Sequence, residues 1–383
     1  MSIKHNRTTL GKAFFLLIMM FVVMGGVNVM GCVQGGVGQA RGWSGVAVKE
    51  DTMFLGSMDG KLVALDAEGK WLWETVLEAS QPQSRGFGCA PAQATSVAIY
   101  GSPVVGDDLV YAGGYNGKVY AINSANGALR WVYPRMEDLK PIVGGSAVAQ
   151  GKLYIGSSDG KLYALDAATG DGEWEFETGN KIWAAPAVEG STVYIGSFDK
   201  KLYALNTADG SRRWEFEAEG ALLSTPLVYD STVYIGSFDR HLYAINSSDG
   251  TLKWKYLGGN GFWARPVAYN GVIYAGCLDG KVYAIDARSG NGIAEFDVES
   301  PVSSSPVLTN SAVIVASEEG KIFSIDTTVN QIRWLADVEK KKKICAPLSA
   351  ADEVVYIHTD EGSLILLNAV TGVTLWSLQI TGK

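Results

Sequence analysis

Few side chains in this sequence have the type and spacing to do chemistry, and the best placed stand just ahead of recurring prolines. Tyr100-Gly-Ser-Pro103, Trp183-Ala-Ala-Pro186, Leu223-Ser-Thr-Pro226, Trp263-Ala-Arg-Pro266, Ser303-Ser-Ser-Pro306 and Ile344-Cys-Ala-Pro347 align on the proline. The position three before it holds Tyr100, Trp183, Leu223, Trp263, Ser303 and Ile344, whereas the position just before it is small everywhere except at Arg265. Flat indole faces and a fork of guanidinium donors would suit a planar anion or a protein loop. The same side chains could instead pack as a plug, and the sequence leaves both readings open. Lys340, Lys341, Lys342 and Lys343 place four cations beside this set.

Catalytic chemistry finds little support elsewhere. His241 replaces a hairpin lysine and His358 replaces a strand glycine, so both read as incidental rather than as general bases. No nucleophile motif, metal-ligand spacing or phosphate-binding loop emerges. The repeated Asp residues stand in turns, where turn chemistry explains them before any metal does. A net charge of −8 disfavours a nucleic-acid partner. Cys277 occupies a place that is Ser in other copies and reads as a small buried residue; whether Cys89 and Cys345 pair is left open.

The elements that must carry these residues are repeated. Tyr154-Ile-Gly-Ser-Ser-Asp-Gly-Lys-Leu-Tyr-Ala-Leu-Asp166 returns at Tyr194–Asn206 and Tyr234–Asn246 with few changes. Taking the glycine after Tyr-Ile or its substitute, the positions are Gly56, Gly113, Gly156, Gly196, Gly236, Gly276, Ala316 and His358. A period near 40 residues over eight copies means a repeat architecture. Each copy holds four runs rich in Val, Ile, Leu, Tyr and Trp, separated by turn residues, which predicts a four-stranded antiparallel meander. Asp159-Gly160 and Asp279-Gly280 suggest two-residue hairpins between the second and third runs. One such sheet cannot bury both faces, but a closed ring of them can. The expectation is an all-β, eight-bladed β-propeller over residues 43–383, monomeric as one closed ring. No strand is visibly exchanged where the ring closes, unless Val33–Trp43 supplies one.

Ala164 to Trp174, reading Ala-Leu-Asp-Ala-Ala-Thr-Gly-Asp-Gly-Glu-Trp, resembles the tryptophan-docking motif of quinoprotein (PQQ-like) propellers. Residues 121–131, 204–214 and 244–254 keep its Ala, Gly and Trp. The last copies keep Trp334 and Trp376 but lose the alanine, and Asn330 replaces one glycine. Copy one is a residue short before Trp73, and copy six has Ala294 for Trp, with Phe296 as the candidate to fill the gap. The resemblance implies that Trp73, Trp131, Trp174, Trp214, Trp254, Trp334 and Trp376 dock between blades. Similar quinoprotein dehydrogenases bind pyrroloquinoline quinone and calcium, but they carry vicinal cysteines and an acidic ligand set that this chain lacks. No cofactor and no enzymatic activity are therefore expected.

The amino terminus has a basic start, an apolar run Ala13–Met24 and then Val29-Met-Gly-Cys32, which resembles a lipobox. Residues 1–31 read as a signal peptide, Cys32 as the lipidation site and 32–42 as a tether. An uncleaved anchor over Ala13–Val33 is the rival. Both predict an extracytoplasmic, membrane-anchored protein. With this start, the chain resembles the BamB-type propeller lipoproteins of outer-membrane assembly. That resemblance implies a scaffold docking an envelope or membrane protein through one rim. A quinone-binding sensor or oxidoreductase, and a polysaccharide- or peptide-binding module, are the alternatives. The insertion Glu78–Ser96 is a further candidate contact loop.

Overall fold

The computed structural model describes residues 44–57, 59–77, 97–310, 312–338 and 342–380. Cys32, the leader and tether, the whole Glu78–Ser96 insertion including Cys89, and Lys340 and Lys341 lie outside the described residues. The described residues form eight antiparallel sheets of four consecutive strands each, spanning 47–76, 104–133, 146–177, 187–217, 227–257, 267–297, 307–337 and 349–379. They are blades 1 to 8 of a β-propeller within the compact unit Ala40–Lys383. The ring closes where the first strand, Ala47–Lys49, lies beside both Val104–Val105 and Ser349–Ala351.

The alternation of the repeat explains the layering. In Lys201–Asn206 the four middle residues are buried, because this strand lies inside its sheet with both faces covered by neighbouring blades. The outer strand Arg212–Glu217 faces solvent except at Trp214 and, partly, Phe216. Each indole crosses to the next blade. Trp73 Nε1 donates to Ser124 O at 2.9 Å, Trp131 to Ala167 O at 3.1 Å, Trp174 to Thr207 O at 3.1 Å, Trp214 to Ser247 O at 3.0 Å and Trp254 to Ala287 O at 3.0 Å. The ring then lies on the turn glycine of that next blade. At Gly250 a Cβ would be 2.7 Å from the Trp214 ring, and its φ of 76° also favours glycine.

Three local departures are resolved by register. In blade 1 the missing residue is absorbed by a shorter turn, so Trp73 still pairs with Ala64 as Trp174 pairs with Ala164. In blade 6, Phe296 pairs with Val282 just as Phe176 pairs with Leu162. Phe296 thus keeps its own place and does not stand in for the missing tryptophan. That seam is tied instead by Tyr274, whose hydroxyl donates to Asn330 Oδ1 at 2.8 Å. The hairpins between second and third strands are also wider than two residues. Gly160 N donates to Ser157 O at 3.1 Å and only Gly160, at φ 92°, is left-handed. This is a three-residue loop with a terminal left-handed residue. Asp159 braces it by accepting from Lys161 N at 2.8 Å and from the Tyr163 hydroxyl at 3.0 Å.

Blades 8 and 1 share no strand among the described residues. Their contact is made by side chains: Trp376 Nε1 donates to Ala67 O at 3.1 Å, and Ser349 Oγ donates to Val46 O. His358 Nδ1 lies 2.7 Å from Ser44 O, with the imidazole fully buried. A carbonyl can only accept, so Nδ1 carries the proton. Burial pulls the His358 pKa below its usual value, partly opposed by the Ser44 carbonyl.

Candidate functional site

The connectors between blades and the second-to-third-strand hairpins lie on one face of the ring. A main-chain bond joins them in blade after blade. Tyr115 N donates to Ala98 O, Ser158 N to Pro141 O, Phe198 N to Lys181 O, Phe238 N to Ala221 O, Leu278 N to Gly261 O, Glu318 N to Pro301 O and Asp360 N to Lys343 O, all at 2.9–3.1 Å. The hairpin apex is thereby held over the connector, and both contribute side chains to the same rim.

Three aromatic pairs mark this rim. Tyr100 and Tyr115 meet edge to face with ring centres 5.3 Å apart. Trp183 and Phe198 meet at 4.8 Å, and Trp263 and Phe238 at 5.6 Å, both also edge to face. Such geometry stabilises a pair beyond its buried area. Trp183 is further fixed by donating Nε1–H to Ser158 Oγ at 2.9 Å, while Lys181 Nζ lies 5.6 Å from the centre of its ring. Both indoles remain partly open to solvent. Burial raises the Tyr100 pKa, with Tyr115 adding to the effect. Leu223, by contrast, is buried and offers the rim little surface.

The blade 7 and 8 sector is polar. Glu318 is half-buried, and desolvation lifts its pKa while Ser303 and Lys343 oppose the rise. Lys343 N donates to Asp360 Oδ1 at 3.0 Å, and Lys342 Nζ to Ser363 Oγ at 2.6 Å. These two lysines are therefore tied into blade 8 rather than waving free.

The blade 8 connector corrects one alignment. Ser349 pairs with Tyr356 as Ala187 pairs with Tyr194, so Leu348 stands where Pro186 stands and Pro347 is one position earlier. Ser304 Oγ donates to Ala346 O at 2.8 Å, just as Ser224 Oγ donates to Ala264 O at 3.2 Å, which fixes the same offset. Ile344 consequently belongs to the buried row of Ile182 and Leu222 and is no rim residue. Cys345 takes the rim position; it is disulfide-bonded, to a partner outside the described residues. Cys277 is a buried free thiol whose Sγ lies 3.1 Å from Asn260 O, the bond that Ser197 Oγ makes to Asn180 O.

Arg265 differs from every other charged group here. It is exposed, yet the surrounding wall lowers its pKa by desolvation. Its connector leads into the first strand Val267–Tyr269, and these first strands lie beside one another around the channel, so neighbouring blades surround the place where Arg265 stands. The guanidinium still keeps its charge. Among the described residues no group of three or more His, Cys, Asp and Glu could hold a metal ion. No helix of the described residues is long and apolar enough to cross a membrane.

With this geometry in hand, comparison with known proteins is informative. A family model described as the β-propeller of the β-alanine-activating enzyme matches residues 143–383, more than half of the chain. The chain belongs to that β-propeller family. A second model, described as outer membrane protein assembly factor BamB, matches residues 34–181, and the repeat is PQQ-like. Among solved structures, BamB from Moraxella catarrhalis superposes with a TM-score of 0.69 at 20% identity, covering 84% of this chain and 93% of that one. The computationally designed Ika8 protein gives 0.70 at 14% identity, covering 86% and 96%. At such identities the likeness is one of fold. No curated protein sequence matches the chain.

The hairpin apices were not among the residues singled out from sequence, although a signal was present. Between the repeated Gly-Ser and Asp, or the residues that replace them, the apex reads, among the described residues, Tyr115, Ser158, Phe198, Phe238, Leu278, Glu318 and Asp360. It is variable where its neighbours are not, as the connector position is.

Proposed function

We propose that this protein is a non-enzymatic, extracytoplasmic propeller scaffold, tethered to a membrane through Cys32, that docks a protein partner of outer-membrane or envelope assembly on its connector rim. The aromatic rim carries this reading. Three edge-to-face pairs hold flat apolar surface at the solvent boundary in fixed positions, which is how docking surfaces gain contact area at low entropic cost. The BamB-like repeat supports a scaffold role at family level. The polar sector around Glu318, Lys343 and Asp360 gives the rim a second face, suited to orienting a partner.

The test is affinity recovery from detergent-solubilised native membranes with the full chain. One stoichiometric partner is expected, lost when Trp263 and Phe238 are both changed to Ala while the thermal transition stays in place. Recovery unaffected by that double change would overturn the rim assignment. Mass analysis of the purified chain should show a lipid-modified cysteine at residue 32, absent in Cys32→Ala. Titration with pyrroloquinoline quinone and calcium should leave tryptophan fluorescence unchanged; a saturable change would favour the quinone-binding reading instead.

A further inference from the structure

The residue just before each connector's end position forms an inner circle around the axis: Gly45, Ser102, Gly145, Ala185, Thr225, Arg265, Ser305 and Pro347. Neighbours around this circle touch. A Cβ on Gly45 would lie 2.3 Å from Ser102 Oγ and 2.9 Å from Pro347 O. One on Gly145 would lie 3.4 Å from Ala185 Cβ and 3.6 Å from Ser102 O. On the other side, Arg265 N donates to Ser305 Oγ at 3.1 Å. Seven members are small or compact, so one long side chain stands in a circle that crowds out others.

Among the described residues no acid answers that side chain. Arg265 makes no ion pair among the described residues, whereas the half-buried rim acid Glu318 has Lys343 beside it. An exposed arginine on a convex surface loses little by being unpaired, because water solvates it fully. In a concave mouth part of that solvation is gone, and a carboxylate arriving there replaces it with two parallel charge-assisted bonds. The walls also weaken screening, so the attraction exceeds that of a surface pair.

We propose that the channel mouth is a carboxylate-binding site anchored by Arg265, which takes an acidic side chain or a chain-terminal carboxylate carried on a slender peptide segment. This deepens the docking reading above and rests on it for the peptide nature of the ligand. Trp263 comes from the same connector and pairs with Phe238, so a segment crossing the rim would meet an aromatic wall beside the anchor.

The experiment follows the Arg265 side-chain Nε–H resonance of the full chain during titration with inorganic phosphate and with three peptides. These are a blocked Gly-Asp-Gly peptide, its Gly-Asn-Gly counterpart, and tri-glycine with a free carboxyl end. The Asp peptide or the free-ended peptide should shift the resonance saturably at millimolar concentration. The Asn peptide should bind at least about tenfold more weakly. Whichever acidic probe binds more tightly distinguishes a side-chain ligand from a chain terminus. Read instead at the indole Nε1–H resonance of Trp263 on the same connector, Arg265→Gln should abolish binding and Arg265→Lys should restore part of it, with the thermal transition unmoved in both. Equal shifts from the Asn peptide, no shift from either carboxylate, or tighter binding of inorganic phosphate than of both peptides would each overturn the proposal. Partner recovery separates the two readings. If Arg265→Gln leaves recovery intact while the Trp263 and Phe238 changes abolish it, the anchor falls and the docking rim stands.

Discussion

The seams between blades 3 to 5 and the seam between blades 8 and 1 achieve the same closure with opposite parts. In the regular seams the strand contributes nothing and the connector fills the space: a Cβ on Gly156 would lie 2.2 Å from Ile182 Cγ2, and one on Gly196 would lie 2.9 Å from Leu222 Cβ. At the closing seam the strand contributes the whole imidazole of His358, which meets the connector's main chain at Ser44. There the strand supplies the bulk, and a polar ring serves where the regular seams use an aliphatic side chain. A ring can therefore close on a non-equivalent joint provided that volume and one hydrogen bond are supplied.

The largest effect that would sharpen this contrast is at the indoles. Trp214→Ala should destabilise the protein by about 3–5 kcal/mol in chemical denaturation. Trp376→Ala should cost less, because Trp376 is partly exposed whereas Trp214 is buried. Equal losses would mean that the closing seam relies on its indole as heavily as the regular ones. Next comes overpacking. Gly156→Ala should cost about 1–3 kcal/mol, since the added methyl meets Ile182 with nowhere to go. An unchanged midpoint would show that the connector yields easily.

A smaller, pH-dependent effect belongs to the closing seam alone. The folded pKa of His358 lies below its unfolded value of 6.5. Below that pH the unfolded chain binds a proton that the folded seam refuses, so stability present above it is lost as pH falls. Between about pH 7.5 and about pH 5, Tm should fall more in the wild type than in His358→Gln, whose side chain does not titrate. Parallel pH profiles would remove the buried imidazole from the account. Smallest of all, Arg265→Gln should shift stability by no more than about 0.5 kcal/mol, as exposed sites do. A larger loss would make Arg265 a structural plug rather than an anchor.

Much of the ring could be read from sequence because a period near 40 residues, a Trp and a turn Gly recur in most copies with their physical reasons visible. What escaped reading was offset and pairing. Pro347 looks like the other connector prolines, but Leu348 holds their place, and only the pairing of Ser349 with Tyr356 shows it. Asp159-Gly160 looks like a two-residue turn, yet the Ser157–Gly160 bond makes it a three-residue loop. His358 was visible as a glycine replacement, but its partner lies 314 residues away, where no local pattern reaches. The rim was half legible: the connector aromatics stood out, while Phe198 and Phe238 became functional candidates only when the fold set them against Trp183 and Trp263.

The clasp shared by the hairpin apices from Tyr115 round to Asp360 joins a main-chain amide to a main-chain carbonyl, and side-chain bonds are added only at some of them, as at Ser158 and Asp360. Position there is independent of side-chain identity, which is why Tyr, Ser, Phe, Leu, Glu and Asp all sit in equivalent places. On the proposed docking role, recognition would be written in an alphabet the scaffold never reads. Exchanging a few apex residues should redirect such a propeller to a new client while leaving its folding undisturbed.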